Sequence, residues 1–511
     1  MSTLLLFVLV CFSCADSAKI LGFFQFPSLS HQIIFQPLWK ELSLRGHEVT
    51  VITPNPLNDP NLRNLTEIDV RFAYDLLAKQ DLAGNLGKHK SSVSKIVFIE
   101  NMMKELVESQ LHQRDVQELL KYDENHFDLV LVQALHPLVY IFGAKFKAPV
   151  IGMSSFEIFP EFHDAVGNPT HPVISPLSGI LGFEGKLSFM DRVQSVLFNF
   201  WYRTVYYWYI LPEADRTVRK YLGNKVPYLG DVIGNTSIFL VNGNCIVHNV
   251  RANVPNVIQV SQMHIKEKKP LPKDLQDYLD SATEGVIYLS LGTNIISANM
   301  STRIRDVIIQ ALSELPYKVL WKWETDYLPG QPDNVMTKKW IPQQDVLGHP
   351  NVRAFITQGG LQSIEEAIRN EVPMVGLPFM SDQPNNVKKL EDFGIAIGVD
   401  HKTMTKNQLK TAILKVAENK RYKDQVRKAK DILTDQPLQG LEKAVWWVEY
   451  VIRHQGAKHL RSPAADMTFF EYFMVDVAIF LMCCILAISY VVVNITKLIM
   501  STRIQLKRKV S

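Results

Sequence analysis

Short apolar runs of strand length recur along this chain, and segments of helical periodicity separate them. Residues 19–24 and 48–53 are two such runs, joined by an amphipathic segment that ends near Arg45, with Gly46 placed to end a helix. This order is that of a βαβ unit, in which the two strands pair in parallel. Further runs follow at residues 128–134 and 149–155. The first half is therefore predicted to be an α/β domain around a parallel sheet.

The same alternation restarts after a polar connector at residues 266–284 that is rich in lysine and proline. Its strand-like runs are residues 286–292, 318–323, 352–357, 373–378 and 394–399. A length of 511 residues exceeds that of one core and accommodates two domains. We predict an α/β domain over residues 19–265 and another over residues 285–460. A ligand would bind between them, at the carboxyl ends of their strands.

Composition and charge narrow the class of protein. Hydrophobic residues make up 47% of the chain and charged residues 21%, which is typical of a globular protein and not of a disordered or multi-span one. The formal net charge is only +4, and basic residues form no long run before the C-terminal tail. Nucleic acid is therefore not expected as a partner.

Both ends of the chain predict a membrane protein. Residues 1–18 combine an apolar run with small residues, as in a cleaved secretory signal peptide. Residues 470–496 are apolar and long enough for one transmembrane helix, and a basic tail follows at residues 497–511. The positive-inside rule places this tail in the cytosol. The body is then lumenal, as in a single-pass type I protein.

Two minor signals agree with the endoplasmic reticulum. Lys507 and Lys509 resemble a dilysine retrieval signal, and the sequons at Asn64, Asn235 and Asn299 would be glycosylated in the lumen. The most aromatic segment, residues 198–211, fits an apolar pocket, a membrane surface or a packed core helix.

The stretch FITQGGLQSIEEA, residues 355–367, predicts a strand-to-helix turn. Gly359 and Gly360 allow close approach of a ligand to the backbone, and the free N–H groups at the helix start favour an anion such as a diphosphate. An ordinary structural connector has the same appearance. The chain contains no GxxxxGK motif followed by Ser or Thr, no HExxH and no paired CxxC, so a nucleotide P-loop and a zinc site lack support.

The longer run at residues 340–383, WIPQQDVLGHPNVRAFITQGGLQSIEEAIRNEVPMVGLPFMSDQ, resembles the signature of the membrane-bound animal UDP-glycosyltransferases, with arthropod-like variations. The resemblance extends to the signal, the N-terminal SHQ, the SLGT loop, the C-terminal span and the basic tail. It implies a GT-B fold of two facing Rossmann-like domains, with the acceptor bound by the first and a UDP-sugar bound by the second.

The resemblance also implies a role for each matched residue. Trp340 would stack on uracil and Gln343 would bond the nucleoside, while Glu366 would accept bonds from the ribose hydroxyls, its neighbour Glu365 being solvated. The diphosphate and the sugar would be bound by a larger set: Ser290, Gly292, Thr293, Gln358, Gly360, Gln362 and Ser363 at the diphosphate, and Asp382 and Gln383 at the sugar.

Catalysis would depend on His31, at the position of the family's general base, because an imidazole can remove a hydroxyl proton near neutral pH. Three residues depart from the family pattern, one of them Glu371, which replaces the family's glycine before the Val-Pro pair. Gln358 replaces a phosphate-contacting histidine, and Gln133 stands where an aspartate commonly orients the base. A glutamine cannot offset the charge that develops on the imidazolium.

The predicted reaction transfers a hexose, glucose by the arthropod-like variations, from a UDP-sugar to a hydroxyl of a small lipophilic acceptor, with inversion. The UDP-sugar is a co-substrate, and no cofactor or metal is expected. The bilayer is an expected partner, and a homo-oligomer remains open. The alternative is a protein that binds a UDP-sugar or a lipophile without catalysis.

Overall fold

The computed structural model describes residues 17–80, 85, 91–181, 183 and 186–510. The predicted signal peptide, apart from residues 17–18, lies outside them. Within these residues the chain forms two sheets, of seven and six strands, and every strand pairing is parallel. The predicted architecture of two α/β domains is confirmed.

The first sheet has the order β3-β2-β1-β4-β5-β6-β7. Its strands are β1 (Lys19–Phe23), β2 (Glu48–Thr53), β3 (Leu65–Asp69), β4 (Leu129–Gln133), β5 (Val150–Ser154), β6 (Ile238–Asn242) and β7 (Val257–Val260). Neighbouring residues of a strand point to opposite faces, so Val130 and Leu131 of β4 enter two different hydrophobic cores. Because both faces are covered, the central strands are apolar except at their ends.

The second sheet has the order β10-β9-β8-β11-β12-β13. Its strands are β8 (Val286–Ser290), β9 (Lys318–Lys322), β10 (Val335–Lys338), β11 (Val352–Thr357), β12 (Met374–Gly376) and β13 (Ala396–Gly398). Cores again cover both faces, since Phe355 and Ile356 of β11 belong to different clusters.

Helices connect the strands and flank both sheets. In the first half they are Leu29–Leu44, Ala73–Lys79, Ser92–Leu111, Arg114–Leu119, Ile141–Lys145, Pro160–Ala165, Ser178–Leu181, Phe189–Val205, the π-helix Tyr206–Ile210, Leu211–Leu222 and Leu229–Gly234. In the second half they are Lys273–Asp280, Thr302–Ser313, Gln343–Leu347, Leu361–Arg369, Gln383–Phe393, Lys406–Glu418, Lys420–Thr434, Gly440–Arg453, Phe469–Tyr472 and Val475–Val510.

The packing divides the chain differently from the predicted domain bounds. The helix Gly440–Arg453, inside the range predicted for the second domain, buries Ala444 and Val448 in a core of the first sheet. A Cβ at Gly440 would lie 1.8 Å from the carbonyl oxygen of Ser261, so only glycine lets this helix begin against the chain that follows β7. The predicted connector also contributes a helix, Lys273–Asp280, which packs on the second domain.

The C-terminal helix Val475–Val510 is the predicted apolar helix, extended through most of the tail. Its segment Val475–Leu506 is long and apolar enough to cross a membrane, and none of its most apolar window is buried within the protein. It is a candidate membrane span.

The aromatic segment at residues 198–211 belongs to a helix with an exposed apolar face. Phe200 and Trp208 on that face are 66% and 84% exposed, whereas Tyr202, on the opposite face, is buried. The helix is held to the body by Arg203, whose guanidinium donates to Asp164 at 2.7 and 3.0 Å. The segment therefore serves partly as a core helix and partly as an apolar surface.

Candidate active site

The residues predicted to bind the donor meet at one edge of the second sheet. β8, β11 and β12 are neighbours in this sheet, and parallel strands present their carboxyl ends at the same edge. Ser290 ends β8, Gln358 follows β11, and the loop after β12 leads to Asp382. The topology thus brings together three motifs that are up to 92 residues apart in the sequence, between Ser290 and Asp382.

Two glycines of these loops have no room for a side chain. Gly292 has a φ of +76°, and a Cβ there would lie 2.5 Å from Nε2 of Gln358. Gly359 has a φ of +87°, and a Cβ there would lie 2.6 Å from Cγ2 of Val387. Both positions therefore require glycine for conformation and for space.

The helix Leu361–Arg369 begins directly at this turn. Gly360 is its N-cap, and no side chain caps it. Its first N–H groups and the positive end of its dipole are therefore available to an anion. This is the position that the sequence predicts for the diphosphate.

Two polar groups near the turn have no partner among the described residues. Oε1 of Gln358 and Oγ1 of Thr293 are buried without a hydrogen bond. Because buried polar groups are normally bonded, such atoms indicate a place where a ligand or solvent binds. They lie beside the uncapped helix start, so three independent features point to the same location.

The residues predicted to bind the nucleoside include two that lie beside each other, Gln343 and Glu366. Trp340 is 62% exposed, so its indole is not a core side chain and its ring can stack on a base. Gln343 begins the helix Gln343–Leu347 and donates from Nε2 to Oγ of Ser363 at 2.9 Å and to Oε2 of Glu366 at 2.5 Å. The hydroxyl of Tyr288 donates to Oε1 of Gln343 at 3.1 Å. These bonds hold Gln343, Ser363 and Glu366 as one group.

The carboxyl group of Glu366 is 5% exposed and accepts bonds from Gln343 and from Nε2 of Gln344, the latter at 3.1 Å. Burial raises the pKa of Glu366 to about 7. Its carboxylate therefore changes protonation near neutral pH, at a position predicted to contact ribose.

The expectation that Glu365 is solvated is wrong. Its side chain is fully buried and accepts bonds from Nδ2 of Asn244 at 3.1 Å and from the backbone N–H of Gln262 at 3.3 Å. Both partners follow strands of the first sheet, so the helix turns Glu365 toward the other domain. Burial raises the pKa of Glu365 to about 8. This carboxyl group joins the two domains.

Asp382 and Gln383 begin the helix Gln383–Phe393 below the same edge. Oε1 of Gln383 accepts from the backbone N–H groups of Phe379 and Met380 at 2.9 and 3.1 Å, which fixes the loop after β12. Asp382 accepts from Nδ2 of Asn386 at 2.6 Å, and burial raises its pKa. The carboxamide nitrogen of Gln383 makes no hydrogen bond to another described residue.

His31 lies across the cleft, in the first turn of the helix Leu29–Leu44. Its Nδ1 is 2.8 Å from Oγ of Ser155 and 3.5 Å from Nε2 of Gln133. The rings of Phe26 and Phe156 lie 4.9 and 5.5 Å away, centroid to centroid. Burial lowers the pKa of His31 to about 4, so the imidazole is neutral at physiological pH.

The structure adds a contact that the sequence analysis missed. Asn294 directly follows the SLGT loop, and its side chain accepts from Oγ of Ser28 at 3.0 Å and donates to Oγ of Ser30 at 3.3 Å. On the other side of the turn, Nε2 of Gln362 donates to the carbonyl oxygen of Ser155 at 3.4 Å. The loop before His31 and the donor turn therefore adjoin. Only the position of Asn294 after the loop motif could have suggested this.

Known proteins resemble this chain over nearly its whole length. Residues 19–510 match the family model described as UDP-glucoronosyl and UDP-glucosyl transferase. UDP-glycosyltransferase UGT5 of Dactylopius coccus is 33% identical over 484 residues, which cover 94% of this chain and 92% of that protein. Human UDP-glucuronosyltransferase 2B7 is 32% identical over 513 residues, covering 94% and 93%.

Solved structures share the fold at low sequence identity. The spinosyn forosaminyltransferase SpnP superposes with a TM-score of 0.56 at 16% identity, covering 85% of this chain and 99% of that one. TcCGT1 in complex with UDP gives a TM-score of 0.54 at 15% identity, covering 86% and 100%. The likeness to these glycosyltransferases confirms the predicted GT-B arrangement.

Proposed function

Because the chain belongs to the UDP-glucoronosyl and UDP-glucosyl transferase family, we propose that it transfers glucose from UDP-glucose to a hydroxyl of a small lipophilic acceptor. The observation that carries this proposal is the meeting of an uncapped helix start, two unpartnered buried polar groups and His31 across one cleft. Transfer of a sugar from a UDP-sugar is the activity of the family. The sugar, the acceptor and the residue roles are the parts proposed here.

The donor binds along the edge of the second sheet. Trp340 stacks on uracil, and the group of Gln343 and Glu366 bonds the nucleoside and ribose. The diphosphate lies at the N-terminus of the helix Leu361–Arg369, where backbone N–H groups and Ser363 stabilise its charge. Nε2 of Gln358 is the atom of this side chain that can donate a hydrogen bond to the same anion. Asp382 and Gln383 bond the sugar hydroxyls.

The remaining predicted contacts come from the SLGT loop. Ser290, Gly292 and Thr293 cover the diphosphate from the end of β8, and the buried hydroxyl of Thr293 has no protein partner among the described residues. Gly360 and Gln362 complete the turn on the other side. No metal or cofactor takes part in this scheme.

Transfer begins when Nε2 of His31 takes the proton of the acceptor hydroxyl. The acceptor oxygen attacks the anomeric carbon from the face opposite the diphosphate, the bond from that carbon to the diphosphate oxygen breaks, and UDP leaves with the electron pair. The configuration at the anomeric carbon is inverted. The phenyl rings of Phe26 and Phe156 beside the imidazole support an apolar acceptor.

The membrane places the site near lipophilic substrates. A Cβ at Gly167 would lie 2.4 Å from the backbone nitrogen of Ala465, so the segment that precedes the membrane helix packs on the first domain. The helix carrying Phe200 and Trp208 contacts the same region through the pair of Arg203 and Asp164. We propose that this apolar face lies on the lumenal leaflet of the endoplasmic reticulum and that the body is lumenal.

Non-catalytic binding is the second candidate, and Gln133 is the observation that favours it. Among the described residues, this neutral amide and no carboxylate lies beside Nδ1 of His31. A binder would retain UDP affinity and form no product.

The test uses the full-length protein in microsomes, with labelled UDP-glucose and a panel of phenols. We expect a glycoside from the wild type. We expect His31→Ala to lower the rate by about 100-fold or more, the usual contribution of a general base, with UDP affinity unchanged. His112→Ala, at an exposed histidine of the same domain, is the matched control. UDP binding without product would establish the second candidate.

A further inference from the structure

The hydrogen bonds around Gln133 fix the direction in which its amide points. Its Oε1 accepts from the backbone N–H of Phe26 at 3.1 Å, and a backbone nitrogen can only donate. The Nε2 group is therefore the part that faces Nδ1 of His31. Gln133 is fully buried, at the end of β4, so this orientation is held by the sheet.

An amide N–H that faces Nδ1 is unsuited to support a base. It could bond only to an unprotonated Nδ1, which would leave the proton of the neutral ring on Nε2. That tautomer has no lone pair at Nε2 with which to take a proton from the acceptor. The distance of 3.5 Å also makes this the weaker of the two contacts at Nδ1.

Ser155 is the other group at Nδ1, and its hydroxyl can accept a hydrogen bond. Its Oγ lies 2.8 Å from Nδ1, and the residue is 1% exposed at the end of β5, next to β4 in the sheet. Among the residues described, Nε2 of His31 has no hydrogen-bond partner, so it is free to meet an acceptor.

We propose that Ser155 is the positioning residue of the active site: its hydroxyl accepts from Nδ1–H of His31, which leaves the lone pair on Nε2 for the acceptor proton. This deepens the proposed function and rests on it. Ser155 provides the orientation for which the family pattern uses an aspartate, without the negative charge. The chain thereby keeps a competent tautomer although Gln133 is neutral.

The donor side touches the same residue. Nε2 of Gln362 donates to the carbonyl oxygen of Ser155, and Gln362 lies in the first turn of the helix at the diphosphate site. The backbone of Ser155 is therefore held from across the cleft, independently of its side chain. Substitution of the side chain by alanine retains this bond.

The test compares four variants of the full-length protein with the wild type. Ser155→Ala removes the acceptor at Nδ1. Ser154→Ala is the matched control, because among the described residues the hydroxyl of this buried neighbour accepts only from the backbone N–H of Phe156. Gln133→Asp introduces a carboxylate that can accept from Nδ1–H and stabilise the imidazolium. The fourth variant combines Gln133→Asp with Ser155→Ala.

We expect Ser155→Ala to lower kcat by about tenfold, as for the loss of one hydrogen bond, with UDP affinity unchanged and Ser154→Ala within twofold of the wild type. Gln133→Asp should restore kcat in the double variant. It should also move the acidic limb of the kcat/KM profile to higher pH, since a neighbouring carboxylate raises the pKa of an imidazole. A packing role for Ser155 would not be rescued in this way.

Two results would overturn the inference alone: Ser155→Ala as active as the wild type, or a loss that Gln133→Asp does not restore. If Ser155→Ala does not fold, the single variant Gln133→Asp provides the test. An unchanged pH profile of kcat/KM in that variant then overturns the inference. A wild type that forms no glycoside overturns the proposed transfer as well, and an active His31→Ala variant overturns the proposed role of His31 as the base. The two failures are therefore distinguishable.

Discussion

Replacing Gly292 by alanine should separate backbone strain from loss of the donor site. The residue has a φ of +76°, which costs an L-residue about 1–2 kcal/mol. The added Cβ would also lie 2.5 Å from Nε2 of Gln358, closer than such atoms approach, so the glutamine amide must move. If that amide bonds the diphosphate, the loss of a bond to a charged group is about 1.5–3 kcal/mol. UDP affinity should fall by about 10- to 100-fold.

Gly330→Ala is the matched control. Its φ is +75°, almost the same, and its Cβ would meet only Cδ1 of Ile309, at an ordinary 3.9 Å. Both variants should lose about 2–8 °C in Tm, since 1 kcal/mol corresponds to about 2–4 °C in a domain of this size. Only Gly292→Ala should lose UDP affinity. Scanning fluorimetry and titration calorimetry measure the two quantities, and equal UDP affinity in both variants would refute the proposed place of Gln358.

Three further outcomes are expected. UDP affinity of the wild type should rise with pH through about 7, and it should rise more than the UDP affinity of Glu366→Gln. Burial raises the pKa of Glu366 to about 7, and only the carboxylate accepts from two ribose hydroxyls. Calorimetric curves of affinity against pH that run parallel for the two proteins would contradict this. Burial raises the pKa of Glu365 to about 8, so this group favours the folded state most at low pH, and its contribution is lost as pH rises through about 8. Between pH 6 and 9 the Tm of Glu365→Gln should therefore fall less than the Tm of the wild type. A protein truncated after Asp466 should still sediment with phospholipid vesicles. Replacing Phe200 and Trp208 by serine should lower its affinity for the vesicles by about 100-fold or more, since each buried aromatic side chain contributes about 1.5–3 kcal/mol. Unchanged sedimentation would rule out a bilayer contact at this face.

Local patterns predicted much of the fold. The runs that became β1, β2, β4 and β5 are apolar because parallel strands are buried on both faces, and this is visible without knowledge of neighbours. The strands β3, β6, β7 and β10 were not predicted. β3 is an edge strand, LTEID, in which only Ile68 is buried, so its sequence lacks the continuous apolar run. β6, IFLVN, has a continuous apolar run, but the sequence around it shows no clear alternation of strand-like and helix-like segments.

The strand-to-helix turn at residues 355–367 was also predictable, because its requirements are local. Two glycines, a strand before them and a helix after them define a backbone geometry that the neighbouring ten residues determine. The indole of Trp340 is exposed, and its role in stacking on a base stays a prediction. The prediction for Glu365 failed because helical position alone does not say what packs on each face, and here the other domain covers it.

The sequence by itself determined most of the strands, their alternation with helices, the apolar C-terminal helix and the strand-to-helix turn at residues 355–367, because each depends on residues close together in the chain. The tertiary structure alone decided which groups meet across the cleft. Ser155 lies 124 residues from His31, and Asn294 lies 266 residues from Ser28. Neither pairing has a local signal, because both arise from the order of strands in the sheets and the approach of two domains. The environment of the proposed base, including the hydroxyl of Ser155 beside it, is therefore a property of the fold.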